Sequence, residues 1–153
     1  MRRLLLRGMD ALITNVPGYC VCVTTADCVP VLLYDKKQHV VAAVHAGWKG
    51  TVKHIVSHVM DHLNQKFGTQ GEDVVACIGP SISLESFEVG DEVYDAFKES
   101  GFDMSLISMK KKETGKYHID LWEANRIELL NAGVPAEQID CLLYTSPSPR
   151  DST

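Results

Sequence analysis

The chain has 153 residues, 45% of them apolar and 23% charged, with a formal net charge of -5. That length and apolar content suffice for one domain with a real core and exclude a disordered chain, while an acidic balance with no basic cluster argues against nucleic acid as the main partner. The opening MRRLLLRGMD has too short an apolar run for a signal peptide, nothing approaches a membrane span, and five cysteines at no secretory spacing read as reduced thiols of a cytoplasmic protein.

In chain order, residues 18–25 (GYCVCVTT) read as a strand, β-branched and apolar, with Cys20 and Cys22 on one face and directed into the core. CVPVLLYD and HVVAAVHA follow as two more strands, and the short polar DKKQ between them favours a hairpin over residues 28–46. Their near-continuous apolar character predicts strands covered on both faces. From Lys49 to Phe67 the period changes. Val52, Ile55, Val56, Val59, Met60 and Leu63 follow the spacing of one helical face, and Gly68 and Gly71 stop the helix. DVVACIGP returns to strand, GDEVYDAFKES reads as a short amphipathic helix ended by Gly101, KYHIDL as a strand after a KKKETG loop, and WEANRIELLNAGV as a last helix. A final strand starts at Ile139, and Pro147 and Pro149 break any continuation. No internal repeat is visible. Alternating strands and helices with at least one hairpin predict a layered α/β (α+β) domain with a mixed sheet.

The hairpin places one chemical pair. With Lys36 and Lys37 as a two-residue turn, Cys28 falls directly opposite His45 on the same face, with Cβ atoms about 5 Å apart. A longer turn makes the contact diagonal, still within reach. A thiolate and an imidazole so placed can share a zinc ion, with Zn–S about 2.3 Å and Zn–N about 2.0 Å. The spacing equally suits a buried core thiol beside a satisfied core histidine. His39, six residues before His45 on the same strand, lies about 20 Å away and cannot complete the set; His118 on the YHIDL strand is open as a third ligand, with no spacing to support it. His54, His58 and His62 form a stripe off the apolar face, the usual composition of a solvated surface. In HAGWKG, Gly47 and Gly50 permit close backbone approach, and the start of the next helix with the Lys49 charge suits a phosphate or other anion; a simple strand-to-helix turn has the same composition. Gly79, straight after a strand, marks a pocket loop or a turn.

The segments DALITNVPG, TADCVPVLLYD, HAGWKGT, IGPSIS…FEVGDEV and IDLWEANRIELLNAGV, in this order over residues 8–140, carry a family resemblance. The chain resembles the laccase-domain family, first called multicopper polyphenol oxidase and later reassigned as zinc-dependent purine nucleoside phosphorylase. The pairing of TADC with HAGW is far more specific than either tetrapeptide alone. The resemblance implies a layered α/β sandwich shared with cytotoxic necrotizing factor-type cysteine hydrolases. It implies a metal site of one cysteine and two histidines, in which Cys28 and His45 match two ligands and the other histidine lies upstream of the DALIT motif. No histidine precedes His39 here, the family's C-terminal segment has no counterpart, and Lys49 stands where arginine is usual, keeping the charge without the bidentate fork. The expectation is therefore a fragment truncated at both ends, with residues 8–140 as a partial domain. Residues 141–153 are expected to be a tail, since CLLYTSPSPRD resembles a translated sequencing adapter; a natural Ser/Pro tail is the alternative.

The function so implied is phosphorolysis of adenosine, guanosine or inosine, with adenosine deamination and methylthioadenosine cleavage beside it. The partners are a purine nucleoside and phosphate, with no nucleic acid or membrane, and a homo-oligomer left open. The cofactor is zinc rather than copper, because multicopper sites need more clustered histidines than the one mapped here. Cys28 and His45 are the expected ligands, Asp27 a proton-handling group beside them, and Gly47, Trp48, Lys49, Gly50 and Gly79 the phosphate and substrate contacts. The rival readings are metal-free hydrolysis with Cys28 as nucleophile and His45 as base, editing of peptidoglycan precursors, and a chain that is itself inactive.

Overall fold

The computed structural model describes residues 2–6 and 9–142, with side chains from residue 11 onward. A six-stranded mixed sheet forms the centre. Its strands are β1 (Arg2–Leu6), β2 (Met9–Thr14), β3 (Val29–Asp35), β4 (Val40–Ala46), β5 (Val74–Ile78) and β9 (Ile139–Cys141), in spatial order β1-β2-β4-β3-β5-β9. Only β9 runs parallel to its neighbour, β5. A second, three-stranded antiparallel sheet, in the order β6-β8-β7, is built from β6 (Glu88–Val89), β7 (Ser108–Lys110) and β8 (Tyr117–Ile119).

The core lies on one face of the large sheet. Val29, Val31 and Leu33 of β3, Val40, Ala42, Val44 and Ala46 of β4, and Val74, Ala76 and Ile78 of β5 alternate onto it, as the two-residue period requires. Helix α2 (Ile55–Phe67) covers this face with Ile55, Val56, Val59, Met60 and Leu63, and α5 (Leu121–Asn131) adds Leu121, Ala124 and Leu129. The helical stripe read from the sequence is thus the buried face, with one interruption. The predicted single helix is two, α1 (Trp48–Val52) and α2, broken at His54, which adopts a left-handed φ of 59°. Tertiary contacts hold that conformation. The His54 ring meets the Glu128 carboxylate through Nδ1 and the Ser100 carbonyl through Nε2 at 2.9 Å, and stacks on Phe102. Ser57 Oγ donates to the other Glu128 oxygen at 2.6 Å. His54 therefore leaves the predicted solvated stripe and ties α2 to α5 and to the end of α3 (Asp91–Glu99). Of its former companions, His58 is exposed and His62 half-buried.

The opposite face of the sheet is partly open, which corrects the expectation of strands covered on both sides. Leu32, Tyr34 and Val75 remain 39–48% exposed there. They line an apolar groove of about 390 Å³ together with Tyr19, Cys20, Val21, Val41 and Cys77. Residues 18–25 form no strand: they run as an irregular loop along this groove, with Cys20 and Cys22 exposed rather than in the core. The pairing edges they would need are taken, because β4 is flanked by β2 and β3, and β3 by β4 and β5. The C-terminal expectation is half-visible: β9 forms at Ile139 as read, and the tail from residue 143 lies outside the described residues.

Candidate functional site

The predicted hairpin is present, but its turn has four residues, Lys36 to His39, and Asp35 pairs with Val40. Asp35 sets this length. Its Oδ1 accepts the amides of Lys37 at 2.8 Å and Gln38 at 3.0 Å, its carbonyl accepts the His39 amide at 2.9 Å, and His39 closes the turn at a left-handed φ of 56°. Local capping of this kind is what an aspartate at the start of a turn does best; Lys-Lys has no comparable preference for a two-residue turn.

The longer turn shifts the register by two residues, which keeps each side chain on its face. Pro30, not Cys28, faces His45, and Val29 faces Ala46. Cys28 lies one position beyond, beside Gly47, so its relation to His45 is diagonal on the same face. Diagonal neighbours have Cβ atoms about 7 Å apart. Both residues are half-buried. A β-carbon placed on Gly47 would stand 3.1 Å from the Cys28 sulfur, so the bare glycine leaves room for that sulfur.

Three strand ends meet here. Gly79, just past β5, donates its amide to the Pro30 carbonyl at 2.8 Å, and a β-carbon on Gly79 would strike Pro30 Cγ at 2.8 Å. The loop after Gly79 then folds onto the cysteine segment, with the Ile82 amide donating to the Asp27 carbonyl at 3.1 Å. Trp122 Nε1 donates to Ser81 Oγ, which ties the start of α5 to the same loop. On the far side of β4, Asp10 pairs with His45 in register. Asp27 is exposed. Gly47, extended, is the N-cap of α1; the Thr51 hydroxyl bonds the Gly47 carbonyl at 2.8 Å; Gly50 is buried, and the exposed Lys49 places its Nζ 5.7 Å from the Trp48 ring centre.

The fold therefore gathers Asp27, Cys28, His45, Gly47 to Gly50 and Gly79 at one end of the large sheet, and adds Pro30, Ser81 and Trp122, which the sequence reading did not single out. The only hint of these in the sequence is PSIS following Gly79 and the tryptophan opening the last helix. Among the described residues no group of three or more histidine, cysteine, aspartate or glutamate side chains is placed to hold a metal. His118, the other histidine considered as a ligand, sits buried on β8 of the small sheet, with Nδ1 at 3.0 Å from the Leu84 carbonyl and Nε2 3.8 Å from Glu88. No described helix is long and apolar enough to cross a membrane.

Comparison with known proteins places this arrangement in context. The family model described as multi-copper polyphenol oxidoreductase laccase matches residues 2–150. A purine nucleoside phosphorylase from Bacteroides thetaiotaomicron is 63% identical over 139 residues, covering 91% of this chain and 52% of that protein. The adenosine deaminase RL5, from an unknown prokaryotic organism, is 46% identical over 134 residues, covering 88% of this chain and 51% of its own length. The crystal structure of Bacillus licheniformis hypothetical protein YfiH superposes with a TM-score of 0.81 at 34% identity, over 88% of this chain and 51% of that one. The chain spans about half the length of the curated relatives it matches.

Proposed function

Because the chain belongs to the multi-copper polyphenol oxidoreductase laccase family, we propose that the sheet end carrying Cys28 and His45 is the metal-binding part of a purine nucleoside phosphorylase that also deaminates adenosine. The observation that carries this reading is the diagonal placement of a thiol and an imidazole on one face, at the meeting point of three strand ends, beside a glycine with no side chain. Relatives named purine nucleoside phosphorylase and adenosine deaminase support the reaction class.

The donor set fits zinc. Thiolate and imidazole are its preferred ligands, and catalytic zinc takes three protein donors with one position open. Cys28 and His45 supply two of them; among the described residues none supplies the third. When bound, zinc would supply a Lewis acid and lower the pKa of a coordinated water. The chain's own residues do the rest. Cys28 and His45 fix the position of the reacting centre relative to the sheet. Asp27, exposed beside the cysteine with its carbonyl bonded by the Ile82 amide, would accept or return a proton at the leaving group. The Lys49 ammonium and the backbone amides from Gly47 to Gly50 would attract phosphate, and the Gly79–Ile82 loop, bonded to Pro30 and Asp27, would lie nearest the base.

Product analysis tests the reaction class. Full-length protein given adenosine and phosphate should release free adenine and ribose 1-phosphate, and inosine with ammonia when phosphate is withheld. Hydrolysis to free ribose, equally fast without phosphate, would contradict phosphorolysis. A metal-free cysteine hydrolase is the second reading, favoured by there being only two donors among the described residues. It requires activity that survives chelation and is lost on thiol alkylation.

A further inference from the structure

The loop between β2 and β3 holds a pair of groups that the proposed reaction does not use. Cys20 and Cys22 are both exposed, and their sulfurs stand 3.7 Å apart. We propose that Cys20 and Cys22 form a reversible disulfide, a redox site distinct from the Cys28–His45 centre.

Geometry makes the bond accessible. Two residues of fully extended chain span at most about 7 Å between their first and last Cα atoms, while disulfides take Cα separations of roughly 4.4–6.8 Å and an S–S bond of about 2.05 Å. Closing the gap from 3.7 Å therefore needs only a slight contraction of the chain around Val21. This segment can supply it. Residues 19–25 carry no ladder hydrogen bonds, and the loop's backbone is held by the Tyr19 amide on the Val16 carbonyl at 3.4 Å and, beyond the pair, by the Ile82 amide on Asp27. A cysteine pair inside β3 or β4 would have to break a ladder to do the same.

The two thiols are also unequal. The hydrogen bond to Cys20, then the charge of Cys20, and then slight burial raise the Cys22 thiol above its ordinary value. The first attack is accordingly assigned to Cys20 and the resolving step to Cys22. The chemistry balances with hydrogen peroxide as oxidant. The Cys20 thiolate attacks the peroxide oxygen and becomes a sulfenic acid as hydroxide leaves. The Cys22 sulfur then attacks the sulfenic sulfur, expelling water, so two thiols and one peroxide yield one disulfide and two waters. Because Tyr19, Cys20 and Val21 line the open apolar groove, the contraction re-seats that lining on Leu32, Tyr34 and Val75.

The test is peptide mapping of the full-length protein after one equivalent of hydrogen peroxide at neutral pH, with remaining thiols alkylated. The expected result is loss of two alkylatable thiols, both in the peptide carrying Cys20 and Cys22, joined to each other and recovered by dithiothreitol. In Cys22→Ser the reaction should stop at a Cys20 sulfenic acid captured by a dimedone probe, with no intrachain disulfide. The proposal fails if Cys20 and Cys22 remain alkylatable while Cys28, Cys77 or Cys141 oxidises, or if Cys20 is found bonded to any cysteine other than Cys22.

Discussion

Cys28 stands beside Gly47, one position past the Val29–Ala46 pair, so that a single added methyl at Gly47 would come within 3.1 Å of its sulfur. The glycine of HAGW and the cysteine of TADC are thus one packing unit, and the separation that the proposed metal site depends on is the diagonal from Cys28 to His45. Gly47 already has an extended φ of -75° that alanine tolerates, so the effect of substitution is steric rather than conformational.

Gly47→Ala should therefore push the Cys28 sulfur by a few tenths of an ångström while leaving the fold intact. The expected outcome is a loss of about tenfold in zinc affinity, in the range seen when groups that orient ligands are changed, with an unfolding midpoint within about 1 kcal/mol of the parent. Metal titration and urea denaturation together check it; unchanged affinity would mean that the sulfur does not face a metal.

The His54–Glu128 clamp predicts a stability effect away from the site. Glu128 is buried, and its two oxygens meet the His54 ring and the Ser57 hydroxyl. Glu128→Ala strips partners from both and leaves His54 in a left-handed conformation with less to hold it there. A destabilisation of about 2–4 kcal/mol is expected from chemical denaturation, larger than that of Arg126→Ala, whose pair with Glu123 is only half-buried.

Asp35 links the turn to acid stability. Burial pushes its carboxyl up, but the Thr69 hydroxyl, the Gln38 and Lys37 amides and the nearby His39 charge outweigh that and hold it below 3.8. A carboxyl lowered in the folded state adds stability that is fully present above its unfolded value and is lost as pH falls through the folded value. The difference in stability between the parent and Asp35→Asn should accordingly be constant near neutrality and shrink below about pH 4. Denaturation curves across pH 2–7 measure it, and a difference that grows on acidification would contradict the assignment.

Cys141 on β9 is pushed up to about 11 from 9.0, first by burial and then by the charges of Asp120, Cys77 and Glu123. At pH 8 its thiolate fraction is about a hundredfold below that of an unshifted thiol, so Cys141 should be alkylated correspondingly more slowly than an unfolded control. Since the folded form holds its proton more tightly, its contribution to stability is full below pH 9 and declines as pH rises towards 11. Alkylation at equal rates in folded and unfolded chain would show that β9 does not shield it.

What the sequence revealed follows from the size of the physical signal. Two apolar runs with one polar interval specify the β3–β4 hairpin, and six apolar residues at helical spacing specify the face of α2. Register is a finer property, set by one side chain: Asp35 closing on the Lys37 and Gln38 amides lengthens the turn and makes the Cys28–His45 contact diagonal. Lys-Lys is a weak turn pair, and the longer turn with its diagonal contact, the alternative the sequence leaves open, is the one that forms. The GYCVCVTT error has another origin. β-branched alternation says that a segment can be a strand, whereas occupation of both sides of the β3–β4 hairpin by β2 and β5 leaves it no partner there. Strands as short as Glu88–Val89 carry too few residues for any period to register. The break at His54 depends on Glu128, 74 residues away in sequence, and no local pattern reports it.

The central claim is that Cys28 and His45 grip one divalent ion. Zinc content measured by elemental analysis on full-length protein, for the parent, Cys28→Ala and His45→Ala, tests it most directly, with phosphate-dependent adenine release recorded on the same samples. The account predicts about one zinc per chain in the parent and loss of both zinc and phosphorolysis in each variant, with the folded circular-dichroism spectrum retained. Either variant keeping its zinc and its full turnover would contradict it.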